Sequence, residues 1–230
     1  MDREYFEKIL CAPDFLTFWE SKTAEEIGML LGKDAAAMVN FDQLSPHHCY
    51  TLFEHVLHTV LNLRGKLQQK NEHSTYLLTA AFFHDIGKVV TARIKDGRKV
   101  FYGHAEKSVQ LIVPVLQKMG YDKTEIEIIC FYIKHHDDFI SYRLSEQITG
   151  RGYEAITDTS VWKHIEELEK KKLQNCFWYD RKMWIELIWL CCADAEAQAE
   201  IVYKNNKQVD SRNAKVRRLK CIGYIIENRI

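Results

Sequence analysis

The sequence is poor in proline and modest in glycine, with three Pro and ten Gly among 230 residues. A turn-rich β architecture uses more of both, so long helices are expected. It also lacks a charge excess of either sign, since 32 Lys and Arg balance 32 Asp and Glu. That balance argues against a polyanion-binding surface spread over the whole molecule. None of the seven cysteines forms a CxxC pair, and Cys191 and Cys192 are adjacent within an apolar run. Reduced, mostly buried cysteines in a cytoplasmic protein fit this usage. No apolar stretch reaches ~18 uninterrupted residues, so no membrane span is expected. The opening MDREYFEKIL is acidic at once and has no apolar centre, unlike a signal or transit peptide. With 47% hydrophobic and 28% charged residues the composition is globular, which excludes disordered and collagenous classes.

What is present is helical periodicity. Phe6, Leu10, Phe15, Phe18 and Trp19 recur at three- and four-residue steps, and residues 2–40 are expected to form two or three short helices. A polar loop at 41–50 leads into a helix over 51–69 with Leu52, Val56, Thr59, Val60 and Leu63 on one side. Residues 74–86 read as an apolar helix stopped by Gly87 in the role of a C′ residue. Residues 89–102 are the least helical part, and Asp96-Gly97 marks a turn between two short strands or within a loop. Helices are expected again at about 104–118, 123–135, 161–175, 180–204 and 209–228. Residues 139–160 read as a loop with a helical turn, in the position of a lid. The expected fold is all-α. It is divided into an N-terminal helical extension (1–45), a core domain (46–205) and a C-terminal amphipathic helix (206–230).

Several polar residues stand where helices should meet the core. Asp85 lies in TAAFFHDIG and Asp194 in IELIWLCCADAEAQ. An unpaired buried carboxylate costs several kcal/mol, so a base, a proton or a metal ion must compensate it. His55 sits among Phe53, Val56 and Leu57, and His84 directly precedes Asp85. Two His and two Asp drawn from three helices make a first shell for a divalent ion with positions left for water. His104 follows a Gly at a helix start and the His135-His136 pair stands at a helix end, adding imidazoles for a second ion. Such ions lower the pKa of bound water toward 7 and polarise a phosphoryl oxygen. Mixed His and carboxylate donors suit Mn, Fe, Co, Ni or Zn, with Mg as a further candidate.

The segments FEHVLHTV, FFHDIGK, FYGHAEKS, YIKHHDDF and LCCADAEAQ together resemble the HD-domain metal-dependent phosphohydrolases. Within that group the text over about 14–200 is most similar to the C-terminal HD domain of bacterial CCA-adding enzymes (tRNA nucleotidyltransferases). VNFDQLSPHHCYTLFEHVLHTVLN looks like their entry into the domain, and FLTFWESKTAEEIG like the end of their helical neck. Nothing matches the Gly-Ser turn and paired Asp of the nucleotidyltransferase head, so a stand-alone HD domain that does not add CCA is expected. Asp137-Asp138-Phe139 stands after the His pair, where cyclic-di-GMP phosphodiesterases carry GYP. The resemblance implies an HD-domain helical bundle with His55, His84, Asp85 and Asp194 as core metal ligands. It implies His104 and His135 as the added imidazoles, with His136 as a substitute. It also implies that Lys88 faces substrate phosphate, a task suited to a point charge. Asp85 would further orient or deprotonate the attacking water.

The other histidines weigh differently. His47 and His48 lie in a Pro-containing loop and are solvated by default, although His48 is close enough in sequence to reach the rim of the site as a substrate or second-metal residue. His58 is expected to pack one turn after His55, and His73 and His164 to lie on the surface. Asp137 and Asp138 either hold imidazole N–H groups or cap a solvated helix end. Trp184 and Trp189 are expected in the core. Seven basic residues and one acid between Lys204 and Lys220 read as a solvated helix side in preference to a nucleic-acid patch. The EELEKKK run reads as an exposed face with i,i+4 pairs.

The expected activity is hydrolysis of a phosphomonoester or phosphodiester by metal-activated water. The partner is a small-molecule or nucleotide phosphate, with RNA not favoured. The CCA-enzyme likeness points to 2′,3′-cyclic phosphodiesters and 2′-phosphates. Two other readings are a non-catalytic module in which a metal anchors a nucleotide or tRNA end, and a helical interaction protein whose His and Asp pair with one another.

Overall fold

A computed structural model describes residues 1–147, 152–204 and 206–230. Four short helices open the chain: α1 (Arg3–Cys11), α2 (Phe15–Glu20), α3 (Ala24–Leu31) and α4 (Lys33–Met38). The sequence led us to expect two or three. Thr23 and Glu26 form a reciprocal capping box that starts α3. Gly32, with φ +99°, then turns the chain directly into α4.

The central bundle follows. Thr51 accepts from Glu54 N and Glu54 reaches back to Thr51 N, which fixes the start of α5 (Leu52–Gln69). Next come α6 (Thr75–Phe83) and the single turn α7 (Lys88–Thr91). β1 (Arg93–Lys95) and β2 (Arg98–Val100) form an antiparallel hairpin around Asp96-Gly97, as the turn signal led us to expect. Then come α8 (His104–Met119) and α9 (Lys123–His135). Gly120 ends α8 in the left-handed conformation, and an Asp122–Glu125 capping box starts α9 two residues later.

Residues 139–160 hold more than a loop with a helical turn. β3 (Tyr142–Arg143) pairs in parallel with β4 (Glu154–Ala155), and a 3-10 turn spans Ser145–Gln147. The middle of the suggested lid, 148–151, lies outside the described residues. α10 (Asp158–Leu168) continues through a π turn at Glu169–Leu173, and α11 is Lys182–Glu196.

The long helix expected over 180–204 is two elements. α11 stops at Glu196, and β5 (Ile201–Lys204) pairs antiparallel with β6 (Lys207–Ser211) before α12 (Arg212–Glu227). Ser211 caps α12, so residues 209–211 belong to the strand and the cap rather than to the helix. β-Branched Ile201 and Val202, the aromatic Tyr203 and Val209 favour the hairpin.

α5 lies between α6 and α11, α9 packs on α6 and α8, and α12 covers α11. The fold is all-α, with the N-terminal helices closing one side. Phe6, Trp19, Phe53, Phe82 and Phe83 are buried together in edge-to-face and stacked contacts. Leu52, Val56, Thr59, Val60 and Leu63 are all buried, as their spacing requires. Trp184 is fully buried, whereas Trp189 is half-buried under the Lys70 ammonium. Of the seven cysteines, all free, only Cys191 and Cys192 are buried, fewer than the composition suggested.

Gly87 has a different role from the C′ residue the sequence suggested. Its φ is −64°, so no left-handed cap is involved. A Cβ there would stand 2.2 Å from the His104 carbonyl oxygen and 2.6 Å from Ser108 N. Glycine is required because the Asp85 turn and the start of α8 touch backbone to backbone, and Gly87 N donates to Ser108 Oγ.

Candidate metal centre

Four imidazoles converge with two carboxylates. His55 comes from the second turn of α5, His84 and Asp85 from the turn after α6, and Asp194 from the last turn of α11. His104 opens α8 and His136 caps α9. All six except Asp194 are buried, and the Asp194 side chain is 15% exposed.

Each ring is set by the same device. Nδ1 of His55 faces the Ala197 carbonyl at 3.2 Å, and Nδ1 of His84 faces that of Ala81 at 2.8 Å. Nδ1 of His104 faces Phe101 O at 3.0 Å, and Nδ1 of His136 faces Ile133 O at 2.7 Å. A carbonyl only accepts, so each Nδ1 carries the proton and each Nε2 is turned inward.

Inside, one donor atom from each of His55, His84, Asp85 and Asp194 lies within 4.8 Å of the others. Asp85, His104 and His136 form a second such group that shares Asp85. His55 Nε2 is 2.9 Å from Asp194 Oδ1 and 3.4 Å from Asp85 Oδ2. The atoms are near one another but not aligned for hydrogen bonding: His55 Nε2, His84 Nε2 and Asp85 Oδ1 are buried without a partner. Each unpaired buried group costs about 1–3 kcal/mol. Donors that converge on a shared point and leave these atoms orphaned fit a divalent cation, so the residues present suit the metal.

Opposed charges dominate the cluster itself. Burial disfavours an imidazolium at His55, but the Asp194 and Asp85 carboxylates outweigh it and push the ring up to about 9. His84 is also opposed by burial and raised to about 9, chiefly by the Asp85 charge. Burial would raise both carboxyls, yet Lys88 and His84 hold Asp85 well below its usual range, and His55 and His84 do the same for Asp194.

Lys88 is buried, with Nζ 2.6 Å from Asp85 Oδ2 and 3.3 Å from Gln43 Oε1. His48 is half-buried rather than freely solvated. Its Nε2 is 3.5 Å from Lys88 Nζ and its ring centroid 5.0 Å from that of His55, so it stands at the rim. Burial and the Lys88 charge hold it well below the usual histidine value.

The structure separates the histidine pair. His136, the substitute in the sequence reading, joins Asp85 and His104, with Nε2 3.1 Å from His104 Nε2. His135 lies on the far side of the helix end, where adjacent residues point about 100° apart. Its Nδ1 is 2.7 Å from Asp138 Oδ2, and that oxygen also accepts from His164 Nε2 at 2.9 Å. His164 is thus half-buried in a network rather than free on the surface. Asp137 turns toward the site, 3.2 Å from His104 Nε2. His58 stacks on Tyr50, and His73 is exposed.

The cluster forms the floor of a cavity of about 590 Å³, a size suited to a small molecule. Its walls bring in residues the sequence reading did not single out: Arg98, Arg143, Gln198, Lys215 and Arg218. The basic stretch at 204–220 is therefore not a simple solvated side, since Arg218 is buried against Asp210 and Lys215 faces the cavity. The signal available in the sequence was Lys215 and Arg218 three residues apart on one helix face, beside a lone acid. A more open hollow of about 680 Å³, lined by Leu144, Ile156, Val216 and Tyr224 among others, holds no His or carboxylate.

The HD domain profile matches residues 52–197, more than half of the chain. The chain belongs to the HD-domain family. Members of this family are generally metal-dependent hydrolases that bind divalent metals, and the buried His and Asp cluster fits such a site. No curated protein matches the chain. Among the described residues no helix is long and apolar enough to cross a membrane.

Proposed function

We propose that this HD domain is a phosphohydrolase whose substrate is a nucleotide phosphate bound in the 590 Å³ cavity. The observation that carries the reading is the set of inward Nε2 atoms and carboxylates with three orphaned members. His55, His84, Asp85 and Asp194 would hold one divalent ion, and Asp85, His104 and His136 a second. Bound there, such ions supply Lewis-acid polarisation of a phosphoryl oxygen and water of lowered pKa.

The chain's own groups do the rest. The backbone carbonyls fix each imidazole so that its Nε2 is presented without reorganisation. Lys88 holds Asp85 in its anionic form and places an ammonium at the cavity wall, where a phosphate oxygen can take it. Asp137, whose side chain is 34% exposed beside the cluster and which stands outside both metal groups, can take a proton from an attacking water. His48 stays neutral beside Lys88 and can donate to, or accept from, a substrate hydroxyl. The likeness of FEHVLHTV and FFHDIGK to the HD domain of CCA-adding enzymes favours 2′,3′-cyclic phosphodiesters and 2′-nucleotides.

The test is turnover of 2′,3′-cyclic AMP and bis-p-nitrophenyl phosphate by protein reconstituted with Mn, Co, Ni, Zn or Mg. Metal-dependent product, lost in Asp85→Asn, is expected. Stoichiometric metal with nucleotide binding and no product from any phosphoester would assign the site to a binding module instead.

A further inference from the structure

The outer half of the cavity differs in charge from its floor. Lys215 Nζ donates to Gln198 Oε1 at 2.7 Å and lies 3.2 Å from His47 Nδ1. Gln198 Nε2 in turn donates to both Asp194 oxygens, at 3.3 and 3.2 Å, so one amide separates Lys215 from the metal cluster. Arg98 comes in from the β1–β2 hairpin with a buried Nε that has no partner. Arg143 enters from β3 and spends its guanidinium on the Ile140 and Tyr142 carbonyls at 2.7 and 2.8 Å. Among the described residues no carboxylate lies within 4.0 Å of the charged nitrogens of Lys215, Arg98 or Arg143. Arg218, by contrast, is neutralised by Asp210 at 2.7 Å.

Three half-buried cations with no carboxylate in direct contact are costly, because each has lost solvent and meets opposite charge only at a distance. Their effect on neighbours is plain. Burial and the Lys215 charge push His47 down to about 4, with Arg98 and Lys88 adding to the shift. Burial also holds the Lys215 ammonium below the usual lysine value, although Asp210 and Asp194 pull it upward. Tyr102 and Ile140, 72% and 67% exposed, stand at the mouth with Phe101 and Phe139 behind them, an apolar wall for a base.

We propose that Lys215, Arg98 and Arg143 form a second phosphate subsite, and that the ligand is a nucleotide carrying another phosphate besides the one at the metal cluster. Lys215 belongs to α12 and lies outside the family-matched segment, whereas Arg98 and Arg143 lie within it. The inference rests on the phosphohydrolase reading for the identity of the first phosphate. Its test requires neither metal nor turnover, so the two readings can fail separately.

Chelator-treated protein, in which the wall is the cationic site for a phosphate, is titrated calorimetrically with adenosine 5′-monophosphate and with adenosine. The monophosphate is expected to bind at least tenfold more tightly. That ratio should fall to near one in Lys215→Gln and in Arg98→Gln, and return in Lys215→Arg. Equal affinities in the wild type overturn the proposal, as does an undiminished ratio in both Gln variants. Should Lys215→Gln fail to fold, Arg98→Gln and Lys215→Arg carry the same decision.

Discussion

The floor and the outer wall of the cavity solve opposite electrostatic problems. On the floor, carboxylates and imidazoles crowd until several atoms have no partner, and the deficit is of positive charge. On the wall, Lys215, Arg98 and Arg143 have no carboxylate in salt-bridge contact, Asp210 being held by Arg218, and the deficit is of negative charge. A single side-chain amide, Gln198, joins the two halves. The floor is built rigidly, each ring held by a backbone carbonyl within hydrogen-bond distance. The wall is built from the β1–β2 hairpin, the short strand β3 and α12. In the proposed reading, the chemistry and the choice of substrate are carried by different elements.

The comparison breaks most completely at the floor. Asp194→Ala is expected to abolish metal binding and to lower turnover by a factor of about 1,000 or more, while the nucleotide preference set by the wall survives in binding assays. Metal content and single-turnover rates check this. Gly87→Ala should break the frame that carries the floor. A Cβ 2.2 Å from the His104 carbonyl forces α8 away, at a cost of about 3 kcal/mol, visible in urea denaturation.

Exchanging the histidine pair sharpens the assignment. His136→Ala should lower metal stoichiometry or affinity by at least tenfold. His135→Ala should leave metal content intact and cost about 1–2 kcal/mol of stability through the Asp138 network.

The smallest effect lies at the wall. Burial raises the Asp210 carboxyl, but the Arg218 guanidinium outweighs it and holds the group below its usual range. A depressed folded value stabilises above the unfolded pKa, and that stabilisation is lost as pH falls through the folded value. With solvent screening the loss amounts to less than about 1 kcal/mol. Arg218→Met should flatten the acid side of the stability profile, as thermal melts between pH 5 and 2.5 would register.

Much of the floor was legible because its residues violate helical patterning. Asp85 and Asp194 are carboxylates in apolar runs, and their burial demands a partner. The rotation that favours His136 over His135 was not legible, because it depends on where α9 ends, and helix ends shift by a residue or two. The β5–β6 hairpin was hidden by an apolar run continuous with α11, in which length and periodicity did not separate helix from strand. Lys215, Arg98 and Arg143 are ordinary surface residues by type, and only the tertiary fold brings them to one cavity. Gly87 carried a true signal, a glycine at a helix end, whose cause was a close backbone approach rather than a cap.

The central claim is that the floor is a metal site. Its most direct measurement is elemental analysis of untagged protein purified without chelator, with the Asp194→Ala variant prepared in parallel. The account predicts one or two transition-metal ions per chain in the wild type and fewer than about 0.1 in the variant. Metal-free wild type that stays metal-free after reconstitution with Mn, Co, Ni and Zn would contradict it.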